Sequence, residues 1–399
     1  MTLKATAVLT LLALTAQAAP APLMLGEKLV VHEWGTFTTV PGDDGDALFW
    51  KPLAWKSDLP RFVHTLENLD AGLRASSADL PVRGKGQRVA TVRMETPVLY
   101  FYPDRERDVS VRVDFRGGLV TEWYPFAVSA GSTIDWGTVR LMPNWHPPLP
   151  TEPEKSHYYP AREAGAATVR VCGDDSRVEY DNLLFYRGLG FFQSGLKVQV
   201  QDEALRVEER AGRPLGTFLV YERRGNAAGV SGVRSYEKAV RVLRPALALG
   251  DGGVRARLRE QLLAAGLYEK EAAAMLSTWD DDWFEEGLRV LHVLPAQDVE
   301  NILPLTMTPA PTELKRVLVG RVELLAEDRR ARAVAALQKA FVLKGSARAR
   351  AEDEALAPLG RFAAPWLSLL ARELDQKQAS SLIDRVNGAA GTTGAAGLN

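Results

Sequence analysis

The sequence predicts an α+β protein, with an N-terminal antiparallel β-sandwich-like region followed by an α-helical C-terminal region. Two observations carry this. From about residue 28 to 232, runs rich in Val, Tyr, Phe and Thr recur between Gly, Pro and Asp clusters, and no helical runs alternate with them. From about 233 onward, apolar residues recur at helical spacing. At 399 residues the chain is long enough to bury sizeable cores without crosslinks. Lys+Arg 49 against Asp+Glu 50 leaves a net charge of -1, which argues against a nucleic-acid binder.

Residues 1–18 read as a secretory signal peptide. Lys4 precedes an apolar run from Ala5 to Ala16, and Ala16-Gln17-Ala18 places small residues where a signal peptidase reads, with cleavage after Ala18. The run is shorter than the ~20 residues that span a bilayer, and no later segment is apolar enough to do so. The reading is therefore a periplasmic or secreted chain with no transmembrane segment after cleavage. Cys172 is the sole cysteine, so no intrachain disulfide can form. Its place at the end of a strand-like run reads as a small buried hydrophobe.

The β-rich region is assigned to 19–232. Its strands are expected at Leu29–Val40, Val89–Tyr102, Val109–Phe115, Leu119–Phe126, Ile134–Met142, Ala167–Val171, Leu183–Tyr186, Leu196–Val200 and Thr217–Tyr221. A short helix is expected at Arg61–Leu69, with His64 on its solvent side. Residues 143–160 hold six prolines and read as a long loop. Arg116-Gly117-Gly118 reads as a three-residue hairpin loop. That register sets Glu122 opposite Arg112 on the outer face, because a lone carboxylate among valines costs several kcal/mol.

The helical region is assigned to 233–387. Ser235 is expected to cap a helix ended by Pro245, which also accounts for the S-x-x-K match at Ser235–Lys238. Helices follow at Val254–Ala265, Glu269–Trp279, Trp283–Leu294, Ala331–Val342 and Asp353–Leu374. Thr312–Leu325 fits helix or strand equally. His292 falls with Glu285 and Arg289 on one stripe of its helix, expected to be solvated. The tail, 388–399, is rich in Gly, Ala and Thr and reads as disordered.

Candidate chemistry is sparse. The five histidines show no metal-ligand spacing, and His32-Glu33-Trp34-Gly35-Thr36 puts Thr36 where a second zinc ligand belongs. No metal and no cofactor are expected. In the strand Leu29–Val40, Val30, His32, Trp34 and Thr36 share one face, and Val31, Glu33, Gly35 and Phe37 the other. Each face sets one ionisable group among apolar neighbours, a setting that acid/base catalysis exploits. Glu95 joins the candidate acid/base set, because Pro97 interrupts its strand and can re-aim it. His157 also joins it, beside the proline-rich loop. Trp34, Tyr158, Tyr159, Arg162 and Arg187 form the candidate binding set, suited to a glycan or anionic small molecule. Six of nine tryptophans (Trp34, Trp50, Trp55, Trp123, Trp136, Trp145) fall within 34–145, as stacking platforms if exposed and core if buried.

Several strings occur together: Val31-His32-Glu33-Trp34-Gly35-Thr36-Phe37-Thr38, Met94-Glu95-Thr96-Pro97-Val98-Leu99-Tyr100-Phe101-Tyr102, Thr121-Glu122-Trp123-Tyr124-Pro125, Ser156-His157-Tyr158-Tyr159, Leu184-Phe185-Tyr186-Arg187-Gly188 and Trp283-Phe284-Glu285-Glu286-Gly287-Leu288. Together they resemble an uncharacterised group of exported bacterial proteins whose hallmark is the HEWGTF string. The resemblance covers most of the chain after residue 18. It implies export and a single evolutionary unit, and no mechanism. The leading expectation is an exported protein binding a glycan-like or anionic envelope or extracellular ligand. The rivals are a hydrolase using His/Glu acid-base groups and a structural envelope component. Convergence of His32, Glu33, His157 and Arg187 in one pocket favours the hydrolase, and exposed tryptophans in a row favour binding.

Overall fold

The computed structural model describes residues 27–50, 58–66, 91–173 and 177–392. Residues 1–18, Trp55, and the expected Arg61–Leu69 helix beyond residue 66 lie outside that set. So does most of the tail. In chain order the strands are β1 (Leu29–Thr39), β2 (His64–Thr65), β3 (Val92–Pro103), β4 (Arg107–Asp114), β5 (Gly118–Tyr124), β6 (Thr133–Met142), β7 (Thr168–Cys172), β8 (Val178–Asp181) and β9 (Leu184–Gly190). Then come β10 (Leu196–Gln201), β11 (Ala204–Glu209), β12 (Gly216–Arg224), β13 (Ala227–Ser235), β14 (Ala239–Leu243), β15 (Ala248–Leu249), β16 (Gly287–Val293), β17 (Leu305–Thr308) and β18 (Glu313–Leu324).

The fold is α+β, as expected, with a β-rich N-terminal region and helices gathered toward the C-terminus. A ten-stranded sheet runs β15-β13-β12-β16-β18-β1-β3-β9-β5-β2. It takes β16 and β18 from beyond residue 233 into its middle, and β1 pairs parallel with β18. All eleven residues of β1 are buried, as befits a strand covered on both faces.

Both faces of this sheet are spoken for. One face packs Val31, Phe37, Leu99 and Leu318 onto Val111, Ile134, Val139 and Val169 of the five-stranded sheet β17-β4-β6-β7-β8. Further along, Phe218, Val220, Leu288 and Val290 of the same face pack onto the three-stranded sheet β10-β11-β14. The other face carries Trp34, Tyr100, Leu219 and Val319 against the helices Val254–Ala264 and Glu269–Thr278. A separate apolar cluster joins the helices from Glu327 onward, with Leu337, Leu356, Trp366 and Leu370 packed on Val40 and Trp50.

One irregularity decides which side chains meet. Trp34 pairs with Val98 and Thr36 with Glu95, so Thr96-Pro97 together oppose Gly35. This is a β-bulge, and Pro97 suits it because proline gives nothing to a ladder. The extra residue inverts the facing of everything before it. Val92 and Met94 therefore join Leu99 on the sheet-packed face, while Arg93 and Glu95 swing to the helix side. The expectation that Pro97 re-aims Glu95 holds.

Several expectations are corrected. The segment Trp283–Leu294 is mostly strand: Gly287–Val293 is the buried β16, and a four-residue helix, Asp280–Trp283, precedes it. His292 and Arg289 are accordingly buried, not on a solvated stripe. Ser235 ends β13 and caps no helix; its hydroxyl accepts the Glu237 N–H instead. His64 sits in β2, half-buried and 2.8 Å from Glu179. Thr312–Leu325 resolves as the strand β18. Cys172 is exposed, because Val169 and Val171 take the inward positions of β7 and period two sends Cys172 outward.

The Gly117-Gly118 segment turns the chain but makes no hairpin. β4 pairs with β6 and β17, whereas β5 pairs with β9 and β2 in the other sheet. Glu122 therefore faces Arg187 across β5/β9, is buried, and accepts from Arg93 at 3.0 Å. The expected surface pair with Arg112 rested on the cost of burying a lone carboxylate. A buried guanidinium partner removes that premise.

Candidate functional site: a buried charge belt and the polar groove at its rim

Because of the bulge, the helix-side face carries a row of ionised groups from strand to strand. At one end Arg93 pairs with Glu122, and Arg187 donates to Asp58 at 3.2 Å. In the middle Glu95 accepts from the Thr38 hydroxyl at 2.6 Å and from Arg361 at 2.7 Å. At the other end Arg321 and Arg289 share Glu323, at 2.8 and 3.1 Å. Asp282 links the middle to that end, 2.7 Å from Arg361 and 3.2 Å from Arg321. Arg289 and Arg321 are fully buried. Burial opposes charge on Glu323 and Asp282, but the arginines outweigh it and hold both carboxyls below their ordinary range, Asp282 at about 2.

His157 marks the outer rim of the belt. Its Nδ1 meets Asp58, and its Nε2 lies 2.6 Å from Asp281, which also accepts Lys155 at 2.9 Å. The ring stacks on Trp279, which stacks on Trp283. Burial works against the charged imidazole; the hydrogen bonds to Asp58 and Asp281 outweigh it and raise His157 to about 9. His157 is therefore a cation at neutral pH, not a general base. A raised pKa means its stabilisation is complete below the unfolded value of about 6.5 and lost as pH rises through 9. Discounted for partial exposure, unfolding free energy falls by about 1 kcal/mol between pH 6.5 and 9.5. Urea titrations across that range check this. The His157→Asn variant should lose the slope, and an equal slope in both proteins contradicts the assignment.

The other expected acid/base residues stand apart. His32 and Glu33 point to opposite faces of β1, as the alternation predicts. His32 Nδ1 lies 2.8 Å from Glu271, whose other oxygen accepts the Tyr102 hydroxyl at 2.7 Å. On the sheet-packed face Glu33 accepts from Tyr186 and, at 2.5 Å, from Arg316. His32, Glu33 and His157 thus do not converge, although His157 and Arg187 meet at Asp58. Among the described residues, no group of three or more His, Cys, Asp or Glu side chains is placed to hold a metal ion.

The expected binding set divides. Arg162 is buried and bound bidentately to Asp181, at 2.9 and 2.6 Å, with Tyr158 donating to the same carboxylate at 2.8 Å. Its guanidinium also lies 5.0 Å from the Tyr158 ring centre and 5.3 Å from that of Tyr159. Arg162 and Tyr158 thus tack down the end of the proline-rich loop. Trp34 is fully buried, as are Trp123 and Trp136, and Trp50 nearly so; Trp145 is half-buried. Apart from Trp145, these side chains are core, not stacking platforms.

Tyr159 of that set lines a recess. Its turn and the helix Glu269–Thr278 enclose an open groove of about 670 Å³, walled by Lys155, Ser156, Tyr159, Glu163, Lys270 and Ser277. Ala273 and Ala274 form the helix side, and their small side chains leave the space open. Lys155 is 86% exposed, so its ammonium is available to a ligand despite the Asp281 contact. Sequence reasoning found the turn through Tyr159 but missed Lys155, Lys270 and Ser277. Nothing in the helix signals which exposed lysine faces a distant turn.

No family model and no curated protein matches the chain. Among solved structures, the Fcho1 Mu homology domain of Danio rerio with a bound Eps15 peptide is similar at 8% identity, covering 75% of this chain and 97% of that one. Its TM-score is 0.25, and no argument is built on it. No helix among the described residues is long and apolar enough to cross a membrane.

Proposed function

We propose that this chain is an exported binding protein for an acidic glycan, taken up in the groove between the Tyr159 turn and the helix Glu269–Thr278. The observation that supports this reading is the lining of the groove. Two lysines, a tyrosine, two serines and one carboxylate line an open recess. Lysines attract acidic sugars, Glu163 and the serines suit sugar hydroxyls, and the tyrosine offers an apolar face. The hydrolase reading draws less support, because His32, Glu33, Glu95 and His157 are each engaged by an internal partner.

Calorimetric titration with tetragalacturonate tests the binding reading. Saturable 1:1 binding is expected, weakening with added salt. Lys155→Ala and Lys270→Ala should each lower affinity about fivefold. Absence of saturable binding sinks the reading and leaves a structural envelope role standing. Export rests on residues 1–18. N-terminal sequencing of the protein from its natural host should begin at Ala19, and an intact Met1 contradicts export.

A further inference from the structure

A second recess lies on the opposite side of the central sheet and owes nothing to the glycan reading. It holds about 540 Å³ beside Thr217 of β12, His292 of β16 and Gly320 of β18, and is bounded by the segments 192–196, 209–215 and 293–302, the last of which includes the short helix Ala296–Ile302. Its wall is mainly apolar, including Phe37, Phe192, Leu215, Leu294 and Ile302. Its charged rim is self-neutralised. Arg213 binds Asp298 at 2.8 and 2.7 Å and Glu209 at 2.9 Å.

Inside this wall stands His292, only 6% exposed, whose Nε2 has no hydrogen-bond partner among the described residues. The backbone is arranged to admit the ring. Gly320 is the cross-strand partner of His292 in β18, and a Cβ there would come within 2.1 Å of Nε2. Glycine in the middle of a central strand weakens it, and here its missing side chain is the space the imidazole occupies. Burial lowers the imidazole to about 4, opposed in part by Asp298, so the ring is neutral at physiological pH. A buried polar atom without a partner is costly. A water serving it needs two to four polar contacts, which a mainly apolar wall supplies poorly.

We infer that this recess is a binding site for a neutral, mainly apolar small molecule bearing one hydroxyl, which hydrogen-bonds the His292 imidazole. The volume suits a molecule of one or two rings. Arg213 is closed on Asp298 and Glu209, and Arg210, which also lines the recess, is paired with Asp46 at 2.7 Å, so among the described residues neither lining arginine is free for an acid. The hydroxyl supplies the partner that His292 Nε2 lacks among the described residues.

The test uses 1-naphthol and naphthalene as probes on the full chain, followed by fluorescence. Wild type should bind 1-naphthol at one site, about tenfold more tightly than naphthalene. His292→Leu should retain naphthalene binding and lose the tenfold preference. As a check that needs no variant, the side-chain nitrogen resonance of one neutral histidine should shift with 1-naphthol and not with naphthalene. Failure of wild type to bind either probe overturns the inference. So does a preference that survives in His292→Leu, or a histidine spectrum that ignores 1-naphthol. None of these outcomes bears on the groove, whose test uses a different probe.

Discussion

Arg321→Ala should lower the unfolding free energy by about 3–5 kcal/mol, among the largest losses from any single side chain on the belt. The side chain is fully buried and touches three carboxylates, Glu323, Asp282 and Glu285. Truncating it leaves Glu323 with Arg289 alone and Asp282 with Arg361 alone, so both largely buried carboxylates lose one of two cationic partners. The loss reflects this under-compensated charge more than a forfeited attraction. Removing Glu323 as well leaves the buried Arg289 without its carboxylate, so the Arg321→Met, Glu323→Leu double variant should recover none of the loss. Urea denaturation of the single and double variants measures this. A single-variant loss below about 1 kcal/mol would show that the belt is hydrated and open.

Gly35→Val should cost about 3 kcal/mol, for a different reason. A Cβ at residue 35 would stand 2.9 Å from Pro97 Cα and 3.0 Å from Pro97 N, backbone atoms that cannot rotate away. Pressing Thr96-Pro97 out of the bulge also strains the register that sends Glu95 to Thr38 and Arg361. Thr96 already sits at φ 44, a conformation that threonine rarely adopts. The same denaturation assay applies, with Gly35→Ala as the milder step. Near-wild-type stability for Gly35→Val would mean that the bulge relaxes freely and does not fix the belt.

How far the sequence was legible depended on whether local pattern and tertiary burial agreed. In β1 the alternation correctly put His32 and Glu33 on opposite faces. Val254–Ala264 and Glu269–Thr278 were legible because their apolar stripes face the sheet. The Trp283–Leu294 segment misled because Arg289 and His292 look like solvent-facing residues at helical spacing. A strand buried on both faces accepts Arg289 only because Glu323 stands opposite it, 34 positions later. Glu122 failed for the same reason, its partner Arg93 being invisible to any local argument. The site was legible where a loop announced itself, at His157 and Tyr159. It was illegible where its members, Asp58, Asp281, Lys270 and Arg361, come together only through the sheet order.

The account turns on one division: the charged belt on the helix side of the central sheet is closed on itself, and the exposed polar groove at its rim meets the ligand. Hydrogen exchange of the full chain, with and without tetragalacturonate, tests it most directly. The account predicts added protection in peptides covering 152–165 and 268–278, with β1 and β3 slow to exchange in both states. Protection centred on β1 and β3, or none anywhere, would contradict it.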